Sequence, residues 1–258
     1  MIPLLLKLAT VLYGGSLPVL FLTEKRRGIA WLFLAPALLA NGAAVILRYR
    51  QAWPMLPMHL GAMALPLCLG LLAGLLLLGG GHNPHEYRVR AWMLVLAVLS
   101  SAAAVCFPKD FYLPFLKSRI LFAHFFLLFG VAGKGCFLAG AGWAASGLWR
   151  TGEPGAENGG GSPLNRSLRW TVWGFAFWTL SMFSGELWSY SGWGTPVVWD
   201  DAAITTTMAT WFFYICLLHL HLTGSWSARG RAVYAASGVL VVGVLNCMPD
   251  LGPFRRPF

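Results

Sequence analysis

Eight apolar stretches of membrane-spanning length follow one another along this chain, at about 2–22, 29–47, 58–79, 91–107, 120–149, 168–187, 203–222 and 232–248. A helix needs about 20 apolar residues to cross a hydrocarbon core of roughly 30 Å. Their repetition, more than any single run, predicts an all-α polytopic membrane bundle of about eight transmembrane helices in a lipid bilayer. The fourth run is short for a full span and the fifth is long enough to extend beyond the bilayer. Composition agrees, with 57% hydrophobic and 11% charged residues, far from the balance of a soluble domain.

Charge is arranged to suit that reading. The net charge of +10 sits in short Lys and Arg clusters between the apolar runs, as helix-flanking anchors do. A nucleic-acid reader would gather its basic residues on one face, so no nucleic-acid partner is expected. The first run carries only Lys7 and is followed by Lys25, Arg26 and Arg27. A cleaved signal peptide places its positive charge first, so this run reads as a retained first helix. The early basic cluster predicts that both termini, and the loop after the sixth helix, lie on the outer side.

Five cysteines lie in or beside apolar runs with no C-x-x-C spacing. Neither a zinc site nor covalent haem attachment to this chain is expected, and the thiols read as small packing groups. Three connections look polar: 23–28, the segment 79–90 with His82 and His85, and 150–169 with its run TGEPGAENGGGSPLN. The last reads as a flexible loop. Glycines around Lys134 in the fifth helix suit close helix packing and not a phosphate loop, which needs a preceding strand. Lys134 itself must snorkel, pair or face an aqueous cavity.

The most distinctive segment is GELWSYSGWGTPVVWDDAAITTT, between the sixth and seventh runs. Trp188, Trp193 and Trp199 could belong to an interfacial belt, or could form a flat apolar shelf with N–H donors for a large planar ligand. Asp200 stands where it can cap the free N–H groups that open the seventh helix.

Trp193, Gly194, Trp199 and Asp200 match, in order and spacing, the WGxxWxWD hallmark of the tryptophan-rich membrane proteins of cytochrome c assembly, with Val197 in the place of the middle tryptophan. The chain resembles the CcsA, CcmC and CcmF types of that family, and Gly185 and Trp188 fit the CcsA version. The resemblance covers roughly 118–248. It implies a division into four N-terminal helices (1–117) and a haem-handling core (118–258) that contains the loop 185–201. It also implies noncovalent haem b held against Trp188, Trp193, Gly194, Trp199 and Asp200, with histidines as axial ligands to the iron.

Residue by residue, His124 near the outer end of the fifth helix takes the place of the upstream ligand. The carboxyl end, GVLNCMPDLGPFRRPF, holds no histidine for the downstream one. His59 or a partner protein would supply it, or the iron would be five-coordinate. In WFFYICLLHLHL, His219 fits a second, inner haem site, with His82, His85 or a second membrane assembly protein as its counterpart. His221 lies about 200° round the helix from His219 and faces elsewhere.

The implied activity is haem presentation at the periplasmic face of a bacterial-type inner membrane for attachment to apocytochrome c, as part of a haem lyase or synthase system. The catalytic residues are unknown. The alternative is a b-haem- or quinone-binding subunit beside a multihaem cytochrome in an electron-transfer complex.

Overall fold

The computed structural model describes residues 1–22, 27–53, 59–79, 84–107, 121–148, 162–197 and 202–247. In lipid, backbone polar groups must be satisfied within each segment, and the regular structure among the described residues is helical throughout. The helices are α1 (Ile2–Leu22), α2 (Arg27–Ala52), α3 (His59–Leu78), α4 (Pro84–Cys106), α5 (Leu121–Leu148), α6 (Pro163–Trp193), α7 (Ala202–Thr223) and α8 (Ala228–Leu240). The last continues as a π-helical turn over Val241–Cys247. This is the helical membrane bundle expected from the apolar runs. Six helices, α1 to α5 and α8 with its π-helical turn, are long and apolar enough to cross a membrane. α6 and α7 are comparable in length, but α6 interleaves serine, arginine and glutamate with its aromatic residues, and α7 carries a run of threonines and two histidines.

Several helix ends depart from the sequence expectation: α2 runs on to Ala52, and α6 starts at Pro163, within the expected loop 150–169. Residues 84–90, expected in a polar loop, form the first turns of α4, which therefore has 23 residues and is not short. Pro84 suits that first turn because its missing N–H would have no partner there. Glu86 in the same turn is ion-paired with Arg166 near the start of α6. At the other end of α6, the helix runs through 188–193, expected to be loop, and stops at Gly194. The φ of Gly194 is 74°, a left-handed conformation that glycine adopts without steric cost. Its N–H donates to the Tyr190 carbonyl at 2.9 Å. The hallmark glycine is thus a helix stop.

Packing follows residue size. α1 to α4 close into a ring in which α1 touches α2 and α4, and α3 touches α2 and α4. α5 joins that ring through α3 and α4 and is itself flanked by α6 and α8. The α5–α6 contact is the most extensive, and small residues make it so. A methyl group added at Gly133 would lie 3.2 Å from the Trp178 backbone nitrogen, and one at Gly140 would lie 3.2 Å from the Ser167 carbonyl oxygen. The backbones come close enough for Ser167 Oγ to donate to the Gly140 carbonyl and Ser181 Oγ to the Phe126 carbonyl, each at 2.8 Å. Small residues let apposed membrane helices approach in this way.

Lys134 finds its place in the same framework. Its ammonium donates to the Asn246 carbonyl at 3.0 Å, at the end of the π-helical turn, where helix carbonyls lack partners. Asn246 in turn donates through Nδ2 to Thr210 Oγ1 of α7 at 2.6 Å. The cation therefore ties α5 to α8 and, through Asn246, to α7.

Candidate functional site

The start of α5, the end of α2, the start of α3 and the end of α6 meet at one end of the bundle. His124 lies in the first turn of α5 and is partly buried. The hydroxyl of Tyr49 approaches it from α2, 2.9 Å from Nδ1 and 3.3 Å from Nε2. The two rings meet edge-on, with centroids 5.7 Å apart. One turn beyond Tyr49, Trp53 lies parallel to the imidazole, with an interplanar angle of 7° and centroids 5.9 Å apart. The imidazole therefore has a phenol hydroxyl close to both ring nitrogens and an indole plane stacked beside it. One oxygen so close to both nitrogens lies over the ring and off the in-plane direction of each, so it approaches the imidazole without selecting a tautomer.

The opposite flank of this turn is apolar. Ala123, Leu60 and Trp188 are buried together, with Phe126, Leu127 and Tyr49 packed against them. Phe126 and Trp188 have ring centroids 5.8 Å apart. Gly185 lets α6 come this close: a methyl group there would lie 3.0 Å from Phe126 Cδ2. Trp188 is only 6% exposed, and its Nε1–H has no acceptor among the described residues. By contrast, Trp92, Trp178 and Trp211 donate to Leu138, Thr207 and Thr179. His59, the first residue of α3, is 4% exposed and buried beside Leu60.

Beyond Gly194 the chain folds back on α6, where the buried Ser189 donates to the Thr195 carbonyl at 3.0 Å. Trp193 is the last residue of α6, and Trp199 and Asp200 lie outside the described residues. The structure thus brings His124, His59 and Trp188 to the same end of the bundle. It separates Trp188 from a loop shelf, since this tryptophan is buried on a helix.

Sequence reasoning passed over Tyr49 and Trp53. Their spacing of four at the end of a helix was the available signal, because such residues share a helix face.

Histidines at the opposite end have other neighbours. His85 Nδ1 lies 3.1 Å from the Ser146 carbonyl at the end of α5. His221 Nδ1 lies 3.1 Å from an Arg231 Nη1. His219 is on an exposed side of α7, and His82 lies outside the described residues. Among the described residues, no group of three or more His, Cys, Asp or Glu side chains is arranged to hold a metal ion. Arg166 stacks over Trp143 at 4.7 Å while pairing with Glu86, so this end is joined by charge.

Comparison with known proteins bears on the whole arrangement. Residues 56–246 match the family model of the cytochrome c assembly proteins, so the match starts before α3 and takes in α4 as well as the later helices. A segment of 76 residues is 40% identical to the cytochrome c biogenesis protein CcsA of Prochlorococcus marinus strain MIT 9312, covering 30% of this chain and 24% of that protein. The CcsA of Chlorella vulgaris is 39% identical over 80 residues, which are 31% of this chain and 25% of the relative. That of Rippkaea orientalis strain PCC 8801 is 35% identical over 80 residues, 31% and 23% of the two chains. The aligned segments span about a quarter of each relative's length. No solved structure matches. With most of its length inside the family match, this multi-pass helical membrane protein belongs to the cytochrome c assembly protein family, as a relative of the CcsA type.

Proposed function

We propose that this protein binds haem b noncovalently at the His124 end of the bundle and presents it at the outer membrane face for attachment to apocytochrome c. The carrying observation is the convergence of His124, Tyr49 and Trp53 on one side, and Trp188 with its unsatisfied indole N–H on the other. These groups fit a haem. An imidazole can give one nitrogen to iron while the other is held by a neighbour, aromatic faces suit a large planar ring, and a buried N–H calls for an acceptor such as a carboxylate.

His124 would supply the axial bond, and His59, buried at the same end of the bundle, is the second candidate. Trp193, Gly194, Trp199 and Asp200 extend the site by family resemblance. When bound, haem supplies the vinyl groups that react with substrate cysteines. This chain's residues bind and orient it and limit access of water. A second membrane assembly protein fits the exposed position of His219, whose ring points away from the packed core.

The test is an absorbance spectrum of the purified protein with pyridine extraction, together with cytochrome maturation in cells. Extractable haem b and support of maturation are expected. Bound haem without any maturation activity would favour a b-haem subunit of an electron-transfer complex, and purified protein free of haem that also fails to support maturation would end the haem reading.

A further inference from the structure

We propose that the corner where α7 ends and α8 begins is a binding site for an anionic phospholipid, with Arg229 and Arg231 drawing in the phosphate and the exposed face of α8 taking an acyl chain. The site lies at the opposite end of the bundle from His124 and does not rest on the haem reading.

Charge is the first argument. Residues 202–247 contain no aspartate or glutamate, yet Arg229 and Arg231 stand two positions apart in the first turn of α8. Arg229 is exposed. Arg231 donates through Nη1 to His221 Nδ1 at 3.1 Å. An imidazole that accepts there is neutral, so the contact leaves the charge of the guanidinium unmatched. The Nε–H of Arg231 is buried with no acceptor among the described residues, and guanidinium donors suit phosphate oxygens. Among the described residues Glu86 is the carboxylate at this end, and Arg166 on α6 holds it.

Apolar surface decides between a lipid and a free anion. At 100° per residue, Arg229, Val233 and Leu240 fall within about 40° of one another round α8. Val233 and Leu240 are exposed, so one helix face carries a cation at its end and bare apolar side chains along its length. Trp226, just before α8, is also exposed, an indole at the depth where tryptophans meet lipid headgroups. A phospholipid presents the same order of groups along its own length, whereas inorganic phosphate matches only the charged end.

The test is a titration of the detergent-solubilised protein with phosphatidylglycerol, followed by native mass spectrometry, with phosphatidylcholine and inorganic phosphate as the other arms. Phosphatidylglycerol is expected to bind severalfold more tightly than phosphatidylcholine. Arg229→Gln should weaken that binding about fivefold, the worth of one arginine at an anionic lipid surface. Because Arg229 is exposed, this variant keeps the fold, which an unchanged unfolding midpoint in lipid-free detergent checks. Arg88→Gln makes the same charge change at an exposed position of α4 at the same end and should leave the binding unaltered. Equal affinity for the two lipids overturns the site. Equal losses in the two variants overturn it as well, because they would mark attraction to the whole basic end. Displacement of phosphatidylglycerol by inorganic phosphate at equal concentration would mark a free-anion site and overturn the assignment to a lipid.

Discussion

At one end of the bundle His124 lies against a phenol and an indole; at the other, His85 and His221 lie against a carbonyl and a guanidinium. The partners differ in what they permit. A carbonyl only accepts, so His85 must carry its proton on Nδ1, whereas a guanidinium only donates, so His221 must offer Nδ1 as a lone pair. The phenol beside His124 imposes neither state. Glu86 and Arg166 join α4 to α6 at the second end, while aromatic and aliphatic side chains pack against the first turn of α5 at the other. One end is set up to fix helices in place, and the other leaves a ring nitrogen that can change partners.

The largest effect expected from breaking this contrast is at His124. His124→Gly should lower haem retention by at least about tenfold, since even loss of an outer partner of a ligand costs 10–100-fold. Added imidazole should restore part of it by occupying the vacated space. Haem dissociation and the Soret band measure both. Full retention in the variant would remove this end of the bundle from consideration as the haem site.

A change in the spine shared by both ends should be less selective. Gly133→Ala pushes a methyl group against the Trp178 backbone, which cannot swing aside as a side chain could. Overpacking of this kind costs about 1–3 kcal/mol, so thermal unfolding in detergent should move down with haem affinity following only as far as the fold loosens. A selective loss of haem in a fully stable variant would contradict the structural role of the α5–α6 contact.

Smaller again is the ion pair at the second end. Glu86 and Arg166 side chains are partly exposed, at 14% and 32%, so solvent screens their attraction. Glu86→Gln should cost about 1 kcal/mol or less and leave haem dissociation unchanged. If dissociation quickens, the two ends are coupled and the division of labour between them is wrong.

These contrasts were unevenly legible in the sequence. Hydropathy located every helix because spanning length leaves a long apolar record, but it misplaced the polar ends. The first turns of α4 read as loop because their side chains reach out of the apolar layer, where Glu86 finds Arg166 far along the chain. The end of α6 was missed because Gly194 looks like any loop glycine until its φ is known. His124 was found from resemblance and position. Tyr49 was not, because its relation to His124 crosses 75 positions and depends on how α2 packs beside α5.

The smallest effect is expected at His221. Arg231 donates to its Nδ1, which occupies the lone pair that a metal would need and leaves the proton on Nε2. His221→Ala therefore removes a single contact between the end of α7 and the start of α8, near the surface. Such changes usually stay within about 0.5 kcal/mol. Haem dissociation should be indistinguishable from that of the unmodified protein, and maturation should persist. A loss of haem equal to that in His124→Gly, with the helical spectrum intact, would mean that the identity of the hydrogen-bond partner does not separate ligating from structural histidines in this bundle. The same loss accompanied by unfolding would instead place His221 among the residues that hold α7 and α8 together, and the contrast between the two ends would stand.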